Sequence, residues 1–349
     1  GSGSFWLERY HNKSLLAGRP HLMEIMHGNN IAITGGLTLL NSGFWTLHPV
    51  YCSNVHIHNI SIIASACHEW GDNCGPNVDG IDVDSSQNVV IENNFISVGD
   101  DHVTILSGRG AEGIIYGRPS RNVTVRNNIL GTGMGLSIGS SVSGGVEDVL
   151  YFNNTMTETR EQWGQGVHIK TRIGIGGYIR NIVWDSNLYH STGTEAIIIE
   201  AGYQSQGFCN ASNCTQIENI LLRNLIFHNS SRPGRIVCAG DQPCSNITFD
   251  NVQINGFFHD DWGACDNVVS STFADVSPVG LEALCTAEGK SATTPSDTDS
   301  KKKQAMAIMF ACLVFTIVVV GSLFYFSDGI RKGLDSIHWC CCGSPRIRG

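Results

Sequence analysis

The sequence predicts an all-β chain wound as a parallel β-helix, a solenoid of stacked coils, followed by one C-terminal transmembrane α-helix. Three observations carry this prediction. A short Asn-bounded pattern recurs eight times through the first three quarters of the chain. The 349 residues include 40 glycines and only 15% charged residues, against about 7% and about 25% in an average soluble domain. Residues 305–326 carry no charge at all.

The recurring pattern is Asn, a β-branched or apolar residue, any residue, an apolar residue, any residue, Asn. Clear copies are Asn54-Val55-His56-Ile57-His58-Asn59, Asn88-Val89-Val90-Ile91-Glu92-Asn93 and Asn122-Val123-Thr124-Val125-Arg126-Asn127. The others start at Asn30, Asp148, Asn181, Asn219 and Asn246, so the copies lie 24 to 38 residues apart. Each reads as a short strand with alternating faces, ended by Asn residues that tolerate turn conformations. Such a unit cannot bury its face alone and must stack on its neighbours. The 3.6-residue periodicity of a helical solenoid is absent. A β-sandwich is the runner-up, disfavoured because hairpin signals such as Asn-Gly are nearly missing.

Low charge excludes a coiled coil, a nucleic-acid binder built on basic stripes and an acidic disordered tail. The 42% hydrophobic content is enough for a sizeable core. Organisation follows from composition: residues 1–288 form the β-helix domain, 289–304 a Ser/Thr/Lys linker, 305–326 the membrane span and 327–349 a short basic tail with Cys340-Cys341-Cys342. A charge-free run of 22 residues is long enough to cross a bilayer as a helix. The formal charge of -9 hides an asymmetry, with -13 in residues 1–288 and +4 beyond them.

Nine cysteines fall in the large domain. The close pairs Cys67/Cys74, Cys209/Cys214, Cys238/Cys244 and Cys265/Cys285 suggest disulfides and an oxidising compartment, leaving Cys52 as a buried thiol. Eight N-x-S/T sequons agree with that location. The expectation is a cell-surface, single-pass type I protein with its large domain outside, acting as a monomer. Gly1 is read as the start of a processed, truncated or engineered chain, with no signal peptide present.

A second strand series between the Asn-headed ones carries the polar residues that packing does not explain. It runs through Asn77-Val78-Asp79-Gly80-Ile81-Asp82, Gly99-Asp100-Asp101-His102, Gly133-Met134-Gly135 and His168-Ile169-Lys170. Adjacent coils lie about 4.8 Å apart, so these segments form one row on one face. Asp79, Asp100 and Asp101 then share about two rungs, and like charges that close push one pKa upward. Glycoside hydrolysis needs such a division, with an acid for the leaving oxygen and a base for water. Lys170 and Lys13 are the only lysines in the first 288 residues. Two rungs place Lys170 about 10 Å from the carboxylates, free to hold an anionic group on the substrate.

These four segments, in this order and spacing, resemble the signature segments of the polygalacturonase family of pectin-degrading glycoside hydrolases (glycoside hydrolase family 28), usually N-T-D, G-D-D, G-H-G and R-I-K. The resemblance runs from about Gly3 to Tyr203. It implies a right-handed parallel β-helix and inverting, metal-independent hydrolysis of α-1,4-galacturonosyl bonds, with no cofactor and pectic polysaccharide as partner. By the same resemblance Asp100 is the general acid, while Asp79 and Asp101 activate water. Asn77, Met134, His168, Lys170 and Tyr203 would contact substrate. Two positions depart from the family pattern. Met134 replaces the usual His and cannot relay a proton, and His168 replaces an Arg, exchanging a permanent clamp for a titrating one. A rhamnogalacturonan-type substrate is the second choice. Two alternatives of other kinds are an inactive membrane-tethered polysaccharide binder and a calcium-dependent lyase using Asp79, Asp82 and Asp84.

Overall fold

Each Asn-headed copy forms a strand, and the Asn heads explain where each strand begins. Asn30, Asn54, Asn88, Asn122, Asp148, Asn181, Asn219 and Asn246 all adopt φ between 53° and 57°, a left-handed conformation that Asn and Asp tolerate better than other side chains. Their side chains stack as a hydrogen-bonded ladder. Asn122 Nδ2 donates to Asn88 Oδ1 (2.8 Å), and Asn88 Nδ2 to Asn54 Oδ1 (3.0 Å). The same bond recurs further along, where Asn219 donates to Asn181 and Asn246 to Asn219.

The computed structural model describes residues 1–64, 76–157, 164–204, 214–238, 242–256, 259 and 261–288. Among these, every strand pair is parallel, which removes the β-sandwich. The Asn-headed strands pair in sequence order along one run of a 16-stranded sheet. A second run, from Thr38–Leu40 to Leu188–Tyr189, joins it through the long strand Gln216–Phe227. The third face is a nine-stranded sheet from Met23–Met26 to Cys265–Asp266. The chain is thus a parallel β-helix, as the repeat predicts.

The core lies inside this stack. Registers align Val55, Val89, Val123, Val149, Ile182, Ile220 and Ile247 one above another, each essentially closed to water. Full burial of one such side chain contributes roughly 1.5–3 kcal/mol, so a charge placed at Val89 would break the stack. A buried Asn ladder was not foreseen: Asn94, Asn128 and Asn154 each hand an amide N–H to the next Asn oxygen at 2.9 to 3.0 Å, and Asn187 ends it by donating to the Tyr151 and Asp185 carbonyls. It satisfies polar groups at an interior corner that would otherwise be costly to bury.

Disulfides join Cys238 to Cys244 and Cys265 to Cys285, and Cys52 is a buried free thiol, as expected. Cys214 is also disulfide-bonded. Cys209, the Cys67/Cys74 pair, the linker, the tail and the span expected at 305–326 lie outside the described residues. Among the described residues, no helix is long and apolar enough to cross a membrane.

Candidate active site

The chemistry-bearing segments reach one face because they hold the same position in successive coils. In the nine-stranded sheet, Ile81–Asp84 pairs with Val103–Leu106, then Leu136–Ile138, then Val167–Lys170. The register sets Asp82 beside Thr104, Thr104 beside Ser137 and Ser137 beside His168. Faces alternate along a strand, so Ile81, Val83, Val103 and Ile105 enter the core while this polar row faces the cleft. Asp79, Asp100 and Asp101 come from the turns just before the first two strands. Gly80 lets those turns touch: its N–H donates to Asp101 O (2.9 Å), and a Cβ there would lie 2.4 Å from His102 O.

Asp79, Asp100 and Asp101 are buried, and each offers a carboxylate oxygen within 4.8 Å of the others'. Their environments differ. Asp100 accepts the main-chain N–H of Asn77 at Oδ2 (2.8 Å) and of Asp101 at Oδ1 (2.9 Å). Asp101 accepts the Ser137 hydroxyl at Oδ1 (2.7 Å) and the Lys170 ammonium at Oδ2 (2.7 Å). Asp79 Oδ1 has no hydrogen-bond partner. Burial, then Asp82 and Asp100, hold the Asp79 carboxyl well above the usual carboxylate range. Burial and then Asp101 raise Asp100 too, opposed by Lys170 and its two amide bonds.

Two expectations need correction. Lys170 does sit two strands from Asp101, but its stem runs back along the row and closes the gap, so its charge is engaged before any substrate arrives. Burial opposes that charge, yet Asp101 and Asp100 outweigh it and the net shift is upward. His168 is not poised to titrate as a clamp. Burial first, then Lys170 and Arg235, push its pKa well down, leaving a neutral ring whose nitrogens have no hydrogen-bond partner. Its Nε2 lies 3.6 Å from Glu200 Oε1.

The remaining expected residues line the same cleft. Met134 sits there with its main-chain N–H on Asp100 O (2.8 Å). Asn77 lines it in a left-handed turn, φ 59°. Tyr203 lies with its ring centroid 5.4 Å from Lys170 Nζ. His102 does not replace the imidazole that Met134 lacks. It is fully buried beneath the Gly133-Met134-Gly135 turn, where Nε2 donates to Gly131 O (2.9 Å) and Nδ1 accepts the Gly135 N–H (3.2 Å), a tautomer assigned from these partners. Burial lowers its pKa to about 4, so it is neutral. A Cβ at Gly133 would collide with its ring at 2.4 Å, which explains that glycine.

Several cleft residues were not assigned from sequence to the hydrolytic site, Asp82 having been considered only as a calcium ligand. Asp82 is fully buried, with both carboxylate oxygens unpartnered, and is held well above its usual range by burial and then Asp101. Ser137 orients Asp101. Trp45, Arg172 and Arg235 also line the cleft. The signal that finds Asp82 and Ser137 is the strand register, since both share the outward row with His168. The calcium set of the lyase alternative is not assembled: Asp84 Oδ1 instead accepts the Ser85 hydroxyl (2.7 Å) and the Gly108 N–H (2.9 Å).

Carboxylates in such different surroundings, set along the open face of a solenoid, define a class of β-helix in which acid and base roles can be divided. The sequence model of glycosyl hydrolases family 28 matches residues 1–274, and the chain belongs to that family. It is 33% identical over 259 residues to a probable polygalacturonase of Vitis vinifera, covering 73% of this chain and 50% of that one. A polygalacturonase of Arabidopsis thaliana is 30% identical, with 77% and 57% covered. The chain thus spans about half the length of these relatives. Among solved structures, an exopolygalacturonase from Thermotoga maritima superposes with TM-score 0.62 at 27% identity, covering 74% of this chain and 55% of that one. A polygalacturonase from Erwinia carotovora superposes with TM-score 0.60 at 22% identity, covering 76% and 64%, and supports the fold alone.

Proposed function

We propose that the chain hydrolyses α-1,4-galacturonosyl bonds in pectic polysaccharide. The observation that carries this reading is the trio Asp79, Asp100 and Asp101, whose oxygens lie within 4.8 Å of one another in three different environments. In this reading Asp100 protonates the leaving oxygen, its proton retained by burial and by the negative charge of Asp101. Asp101, held by the Lys170 ammonium, acts with Asp79 to draw a proton from the attacking water. Lys170, Tyr203 and Arg172 hold a galacturonate carboxylate at one end of the cleft. A second assignment, with Asp79 as the acid, has support in its raised pKa and its unpartnered Oδ1.

Inversion is part of the proposal on the strength of family membership. The carboxylates are closer than the roughly 6.5–9.5 Å usual in inverting enzymes, so the stereochemistry needs its own measurement. Proton NMR of the first product anomer decides it: α retained would replace inversion with a covalent route.

The purified chain is expected to release reducing ends from polygalacturonate at mildly acid pH without added metal. No release, or a product absorbing near about 235 nm, the mark of an unsaturated uronide, would overturn hydrolysis. We further propose a type I surface location with residues 305–326 as the anchor, supported by the disulfides Cys238–Cys244 and Cys265–Cys285. Protease added to intact cells should then digest the β-helix domain.

A further inference from the structure

The cleft is electrically lopsided along its length. At one end Lys170 is paired with Asp101 and Arg235 with Glu195 and Glu200, while the Arg172 guanidinium, beside Tyr203, is held by the Gln204 amide oxygen rather than by a carboxylate, which leaves its charge open to an anion. At the other end, one strand before Asp82, the sheet carries Glu24 beside His48. His48 Nδ1 lies 3.1 Å from Glu24 Oε1, and its Nε2 lies 3.9 Å from Asp84 Oδ2. Even with His48 protonated, two carboxylates against one imidazolium leave negative charge there. Arg19, a cation on this side, is buried behind Phe44 and donates to the carbonyls of Gly43 and Pro76. Burial and then His48 lower the pKa of His21, which disfavours a positive charge there.

This end is also aromatic. Trp45, half-buried, lines the cleft beside Asp79, and the Thr46 N–H that follows it donates to Asp79 O (2.9 Å). Phe44 stacks on Trp45 at 5.2 Å, and His21 stacks on His48 at 4.8 Å with 16° between the planes. His21, Glu24 and His48 could gather around a metal ion by distance, but nearly parallel rings send their in-plane lone pairs side by side instead of toward one point. Flat apolar faces among acceptors suit a sugar ring instead.

We infer that the Trp45–His48 end of the cleft is a subsite for an uncharged sugar, a methyl-esterified galacturonate in a pectic chain, while the Lys170–Arg172 end takes a free galacturonate. This inference rests on the pectin-hydrolase reading. A free carboxylate at the first end would face Glu24 and Asp84 across a few ångströms. One such like-charge pair near a protein surface changes affinity several-fold. An ester removes that repulsion and adds a methyl group to rest on the aromatic rings.

The test uses the full chain and two galacturonate oligomers of equal length, one fully de-esterified and one about half methyl-esterified. Calorimetric titration reads affinity independently of cleavage. The expected result is tighter binding of the esterified oligomer. In the double variant Glu24→Gln, Asp84→Asn, the ratio of affinities should move about three- to tenfold toward the free acid. Mass spectrometry of any products should place methyl esters next to the cut on one fixed side only. Equal or weaker binding of the esterified oligomer, or an affinity ratio that the double variant leaves unchanged, overturns the subsite. Failure to cleave either oligomer while the binding asymmetry persists overturns the hydrolase reading and leaves the subsite standing.

Discussion

Lys170 Nζ sits 2.7 Å from Asp101 Oδ2, although the two residues belong to coils separated by a third. The pair ties three rungs of the site together and, among the described residues, supplies the only lysine beside this group of buried carboxylates. Lys170→Met keeps the stem and removes the charge. Stranding one member of a buried pair typically costs about 3–5 kcal/mol. The Lys170 contribution is fully present below its unfolded pKa of about 10.4 and is lost only as pH rises past its raised folded value. The stability deficit of the variant should therefore be largest near neutral pH. It should shrink as the pH falls into the acid range and the raised carboxyls of Asp79 and Asp100 take up protons. Thermal melts across that range check this, and a deficit independent of pH would show that the ion pair contributes nothing.

Asp82 makes the opposite prediction about stability. Its carboxyl is held well above the usual range, and neither oxygen has a hydrogen-bond partner. A raised carboxyl pKa favours the folded state below the unfolded value of about 3.9, and that advantage is lost as pH rises through the folded value. Asp82→Asn should therefore stabilise the fold at about pH 7–8, by about 1 kcal/mol, and change little near pH 3. Equal effects at both pH values would remove the electrostatic explanation.

The fold was legible because a solenoid writes its architecture into the spacing of its repeats. The Asn heads gave the strand starts, and the same spacing put Asp79, Asp100, Asp101, Met134, His168 and Lys170 on one face. What spacing could not give was side-chain reach. A rung count set Lys170 about 10 Å from the carboxylates, but a lysine stem spans much of that distance, and the ion pair with Asp101 follows from it. Burial was equally invisible, and it decides that His168 is neutral and that Asp82 belongs to the carboxylate group. The inner Asn94–Asn187 ladder was missed because Asn next to Asn reads as a turn, whichever of the two points inward.

The acid and base roles of the carboxylates separate by leaving group. A galacturonide with a nitrophenolate leaving group departs without protonation, so loss of the general acid should cost it little. Asp100→Asn is expected to lose roughly a thousandfold or more on polygalacturonate and far less on the activated substrate. Asp79→Asn should lose similar amounts on both. The reverse pattern would transfer the acid role to Asp79, in line with its raised pKa and unpartnered Oδ1.

The two departures from the family pattern should respond differently to reversal. Met134 lines the cleft at partial exposure, and its only hydrogen-bonded contacts in the turn are main-chain ones, from its N–H to Asp100 O and from the Gln165 N–H to its carbonyl. Met134→His should fold normally and raise kcat, because an imidazole beside the carboxylates can pass protons where a thioether cannot. An unchanged kcat would mean that this site works without that group. His168 lies buried among cations, with Lys170 and Arg235 both depressing its pKa. His168→Arg places a further permanent charge there, and the two carboxylates on this side, Glu195 and Glu200, already accept Arg235. Restoring the family arginine is therefore expected to destabilise the fold by about 2–4 kcal/mol. His168→Gln, neutral and hydrogen-bonding, should retain most of the stability. If His168→Arg melts at the parent temperature and binds polygalacturonate more tightly, the surroundings of residue 168 are more open to charge than its burial indicates.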